Sequence, residues 1–109
     1  ANLAACGSDF GLRAVQKIAP YLRNVYFQNI RLDSAGPVNF PTRVRGDIGV
    51  RFVPLSADDG LNVAGMLAGL QAVDYQGWFT IHQPLLPGQV LDAAIEEGAS
   101  FLRTHGILA

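Results

Sequence analysis

The ten residues from Tyr75 to Pro84, YQGWFTIHQP, constrain the fold of this chain more than any other stretch. Trp78, Phe79, Thr80 and Ile81 are strong strand formers, and Gly77 and Pro84 punctuate the two ends. The segment reads as a buried strand, entered through a glycine turn, that leaves on polar residues ahead of a loop and a helix. Alternation puts Trp78, Thr80 and His82 on one face and Phe79, Ile81 and Gln83 on the other. A hydroxyl and an imidazole then share one face near the strand's carboxyl end, which is where α/β proteins bind ligands. Gln83, on the opposite face, is expected to orient the following loop, and Trp78 to sit in the core.

The rest of the chain repeats an α/β rhythm. Ala1 to Ala5 reads as the tail of a strand, broken by Gly7-Ser8-Asp9. Leu12, Val15, Ile18, Ala19 and Leu22 have helical spacing over roughly Gly11 to Leu22, and Pro20 should end or kink that helix near Ala19. Asn24 to Ile30 is a second strand, with Val25 and Phe27 opposite Tyr26 and Gln28. A long connection bearing Pro and Gly runs from Arg31 to Asp59; within it, Val50 to Leu55 is either a strand or an ordered loop. A helix follows over about Asn62 to Val73, capped by Asn62. The last helix runs from about Val90 to Thr104, with Gly106 as its stop. The order β-α-β-loop-α-β-α, with nearly continuous apolar strands, implies parallel strands joined by crossovers. Three such units leave edges unpaired and a sheet face uncovered. The expectation is part of a larger α/β domain, or a chain that assembles with copies of itself.

Composition removes several function classes. With 109 residues, half of them hydrophobic, the chain can bury a core. A net charge of −1 gives no field for nucleic acid or an anionic membrane. No apolar run approaches the roughly 20 residues of a membrane span. The single Cys6 cannot form an internal disulfide, which points to a reducing, cytoplasmic setting. The abrupt apolar start at Ala1 suggests a missing upstream part.

Asp59-Gly60-Leu61-Asn62-Val63, the helix with Leu67 and Leu70, and Tyr75-Gln76-Gly77-Trp78 together resemble the closing section of xylose-isomerase-like TIM barrels, the sugar (phosphate) isomerases and epimerases. Asn24 to Asn29 resembles their seventh strand, and the opening through Gly7-Ser8-Asp9 the end of the sixth. The resemblance spans nearly all of residues 1–109. It implies a single partial domain running from the end of strand 6 to helix 8 of a (β/α)8 barrel.

What the resemblance implies chemically is proton transfer through an enediolate, assisted by a divalent metal: Mn, Mg, Co or Zn. Position by position, the match is incomplete. The sixth-strand Asp would fall just before Ala1. Tyr26 stands at the seventh-strand His, Gln28 at the Lys, Asn29 at the Asp, and His82 at the last Glu. His82 is therefore the candidate metal position. Asn2, Tyr26, Gln28 and Arg31 are the candidate substrate-binding residues, Arg31 because a guanidinium after the strand suits a phosphate. Each has a plainer reading: a hydrogen-bonded structural His82, a core Tyr26, a surface pair for Arg31. His105 is expected to serve its helix end, and Glu96-Glu97 a solvated face.

The leading expectation is thus a metal-dependent isomerase or epimerase of a sugar or sugar phosphate, this chain being its C-terminal part and inactive alone. A sugar or cyclitol dehydratase would use the same fold. A non-catalytic half-barrel that assembles with its own copies is the alternative from another class, favoured by the departures at Tyr26 and His82.

Overall fold

The computed structural model describes residues 1–9 and 11–108. Its two sheets are a parallel pair and an antiparallel triplet, with helices packed against them. β1 (Asn24–Phe27) and β5 (Trp78–Ile81) run parallel, with Asn24 opposite Trp78 and Phe27 opposite Ile81. The pairing continues past both ends. Trp78 N–H donates to Arg23 O at 3.0 Å, and His82 N–H to Phe27 O at 2.9 Å. Parallel neighbours cannot be joined by a tight turn, and here the chain returns through α3 (Val63–Ala72), as the alternation of elements requires. The class is mixed α/β.

The helices share one face of that pair. Phe27 and Phe79 stack with centroids 5.6 Å apart. Around them lie Val15 of α2 (Leu12–Ile18), Leu55, Val63, Leu67 and Leu70 of α3, and Leu102 of α4 (Leu91–Thr104). Each such side chain contributes about 1.5–3 kcal/mol when taken from water. Helix ends follow their local chemistry. Pro20 falls in a 3-10 turn, Ala19–Tyr21, that closes α2. Asn62 Oδ1 accepts the Gly65 N–H at 2.8 Å and caps α3. After α4, Gly106 takes φ +69°, and Ile107 N–H reaches back to Leu102 O at 2.9 Å. His105 Nδ1 lies 2.8 Å from Phe101 O, so its ring serves a last-turn carbonyl as expected.

The antiparallel triplet corrects the loop expected between Arg31 and Asp59. β2 (Ile30–Leu32), β3 (Val38–Thr42) and β4 (Gly46–Phe52) are ordered β2-β4-β3. Val38, Phe40 and Ile48, Val50, Phe52 do alternate with polar or small residues; the nearby prolines disguise the pattern. Pro41 is tolerated because β3 is an edge strand. Asn24 to Ile30 is accordingly two elements: Ile30 already belongs to the second sheet.

Two further expectations change. Ala1 to Ala5 is not a strand tail: α1 (Asn2–Ala5) is a single helical turn, with Ala5 N–H on Ala1 O at 2.9 Å. Three alanines with no β-branched residue favour helix over strand. Trp78 is not core either. It is 79% exposed, because α2, α3 and α4 pack on the Phe27/Phe79 face. No helix among the described residues is long and apolar enough to cross a membrane.

Candidate functional site

The parallel pair has a second face, and a cleft of about 430 Å³ opens beside it along β1. Its polar walls are Asn2 from α1, Asn24, Tyr26 and Gln28 from β1 and the residues after it, and His82 just beyond β5. Its apolar floor includes Ile18 of α2, Val25, and Met66 and Leu70 of α3. That volume falls in the range of small-molecule sites. Four of the five residues singled out from the sequence are therefore gathered at one place, although Asn2 arrives on a helical turn.

Arg31 is the exception. It lies on β2 and pairs with Asp59, both side chains about half exposed, and it is not part of the cleft wall. Such an exposed pair contributes ~0–1 kcal/mol. No Lys, Arg, Asp or Glu side chain is among the described residues lining the cleft.

His82 is held from two sides. Gln28 Nε2 lies 2.7 Å from His82 O and 3.0 Å from His82 Nδ1. The Tyr26 ring meets the imidazole edge-on, with centroids 5.7 Å apart at 83°. The two strands are also tied side to side, Thr80 Oγ1 donating to Asn24 Oδ1 at 3.1 Å.

Behind this wall sits a bracing network. Asn29 is fully buried, and its Nδ2 reaches Pro54 O, Leu55 O and Ala57 O at 2.9, 3.3 and 3.2 Å. Its Oδ1 accepts Leu61 N–H at 2.7 Å. Gln83 Oε1 accepts Asn29 N–H at 2.9 Å, while Gln83 Nε2 donates to Val53 O at 2.8 Å. Gln83 thus ties the end of β5 to Asn29 and Val53 and not to the loop that follows it. Its flanking position also fixes where His82 leaves the sheet. Asn24 was not singled out from the sequence, and Thr80 and Asn29 were noted there without these bracing roles. For Asn24 the signal was present, since alternation puts it on the face of Tyr26 and Gln28.

A metal fits this wall poorly. No group of three or more His, Cys, Asp or Glu converges among the described residues. The one imidazole in the wall already has a donor against its Nδ1. A second groove, of about 410 Å³, runs along the other edge of the pair, between β5 and α4. It is apolar, apart from Gln83 and a Gln89–Glu97 contact of 3.0 Å. Glu97 also meets Ser56 Oγ at 3.3 Å, so only Glu96, paired with Arg103, stands on a solvated face. Comparison of the chain with protein-family models, with curated proteins and with solved structures finds no match.

Proposed function

We propose that the cleft is one wall of the substrate site of a sugar isomerase or epimerase, and that β1, α3, β5 and α4 are closing βα units of a (β/α)8 barrel. One observation carries the reading. Asn2, Tyr26, Gln28 and His82, from three separate segments, line one cleft that runs along β1, with Gln28 and His82 just past the carboxyl ends of the two parallel strands. The barrel is supported by the two-stranded parallel pair itself, which has no further strand on either edge among the described residues. Parallel sheets are stable when covered and continued.

In this chemistry a proton moves between adjacent carbons of the sugar through an enediolate. The wall supplies amides, a phenol and an imidazole, which suit hydroxyl and carbonyl oxygens. No Lys or Arg side chain among the described lining residues offers a phosphate a partner, and Arg31 is engaged with Asp59 elsewhere. The substrate class is therefore an uncharged sugar. A divalent ion, Mg, Mn, Co or Zn, would stabilise the enediolate charge, but the hydrogen bonding of His82 opposes a ligand role.

A non-catalytic assembly module is the second reading, favoured by the exposure of Trp78 and Tyr26 on the uncovered sheet face, at 79% and 62%. Its partner would be a second copy, or the preceding part of a barrel. Ligand-observed NMR against a panel of aldoses, ketoses and their phosphate esters separates the two. Uncharged sugars should bind saturably, and Gln28→Ala or His82→Ala should weaken binding about tenfold, or about 1.4 kcal/mol. Tighter binding of the esters would refute the uncharged substrate; no sugar binding at all would leave the assembly module.

A further inference from the structure

We propose that Gln28 locks His82 in the tautomer that turns an N–H, not a lone pair, toward the cleft, making this position a hydrogen-bond donor to a ligand oxygen and not a metal ligand. The amide of Gln28 sets the geometry. Its terminal atom lies 2.7 Å from the carbonyl oxygen of His82, and only the NH2 end can approach a carbonyl that closely. Reversal would set Oε1 against that oxygen, so the orientation is fixed. The same NH2 group lies 3.0 Å from His82 Nδ1. An amide NH2 has two hydrogens and no acceptor capacity, so Nδ1 must be the acceptor. In a neutral imidazole the proton is then on Nε2.

Histidines that bind a metal through Nε2 carry the opposite arrangement: Nδ1–H donates to a carboxylate or carbonyl behind the ring. Here the group behind the ring is a donor. Tyr26, edge-on to the ring, restrains its plane, so rotation would also break that packing. The absence of any charged side chain from the described lining points the same way. A neutral N–H donor in an uncharged wall selects a carbonyl or hydroxyl oxygen of an uncharged ligand. The ligand class rests on the cleft being the substrate site, whereas the tautomer is a property of the chain alone and can be read with no sugar present.

The test is a two-bond ¹⁵N–¹H spectrum of the ¹⁵N-histidine-labelled chain, recorded where the ring is neutral. His82 should show protonated Nε2 and unprotonated Nδ1. Zn²⁺ added to the wild-type chain should leave the His82 ring signals unmoved. Gln28→Glu should reverse the arrangement, its carboxylate accepting from Nδ1–H, and raise Zn²⁺ affinity at His82 at least about tenfold. Gln28→Leu, which neither donates nor accepts, should leave both tautomers populated and covers the case in which the charged variant folds poorly. A wild-type His82 protonated on Nδ1, or one that takes Zn²⁺ through Nε2, overturns the proposal. So does a Gln28→Leu spectrum identical to wild type.

Discussion

At the scale of single residues, the most consequential side chain is one that never touches the cleft. Asn29 is the one fully buried polar side chain among the described residues, and it ties β1 to the segment from Pro54 to Leu61 through four side-chain hydrogen bonds. Removing the amide leaves Leu61 N–H and three carbonyls without that partner, at roughly 1–3 kcal/mol for each buried group orphaned. Relaxation will recover part of it. Asn29→Ala should lower stability by about 3 kcal/mol in urea unfolding, with His82 and Gln28 resonances shifting in what remains folded. A loss under about 0.5 kcal/mol would mean the network does not brace the site. The position also limits its neighbour: a side chain on Gly60 would collide with the Asn29 amide. None of this was readable beforehand, because Asn29 looks like any polar residue at a strand end. Its burial depends on the loop folding back over it.

Among elements, the parallel pair has one furnished face and one bare one, and that contrast is measurable. Phe27 is 4% exposed and stacked on Phe79, whereas Trp78, the first residue of β5 in the same sheet, is 79% exposed. Phe27→Ala should cost about 3–5 kcal/mol, and Trp78→Ala under about 1 kcal/mol in thermal or urea unfolding of the chain. A large loss for Trp78→Ala would show that this face is covered in solution, by a second copy or another partner. The helices α2, α3 and α4 were legible from the sequence because apolar spacing, Asn62 and Gly106 act locally. β1 and β5 were legible for the same reason. The face that would be buried was not, since alternation divides a strand into two faces without saying which one receives the helices. The β3–β4 hairpin went unseen because Pro37 and Pro41 signal loops, and only pairing with β4 makes an edge position for Pro41. The candidate site was readable as far as alternation reached: Tyr26, Gln28 and His82 fell where strand geometry put them. Arg31 did not, since its direction depends on β2 joining the other sheet.

The molecule as a whole is slab-like, 38 × 35 × 21 Å, with a radius of gyration of 14.0 Å against about 13 Å for a compact chain of this length. The thin dimension is what a single helix layer over a sheet with one bare face produces. Connectivity across the slab is uneven in a way that bears on how it comes together. β3 and β4 are joined by a three-residue loop, with Thr42 paired to Gly46. Gln28 and His82, by contrast, are 54 residues apart in the chain. Hairpins form on the microsecond scale, while distant parallel pairing must first bear the entropy of a long closure. The cleft should therefore be the last feature to assemble. In pulse-labelling hydrogen exchange during refolding, the amide of Val50 should gain protection before that of His82, and simultaneous protection would point to one concerted step. A chain interrupted during refolding would thus possess its hairpin and helices while still lacking any place to hold a ligand, so binding competence itself becomes a clock for the final folding event.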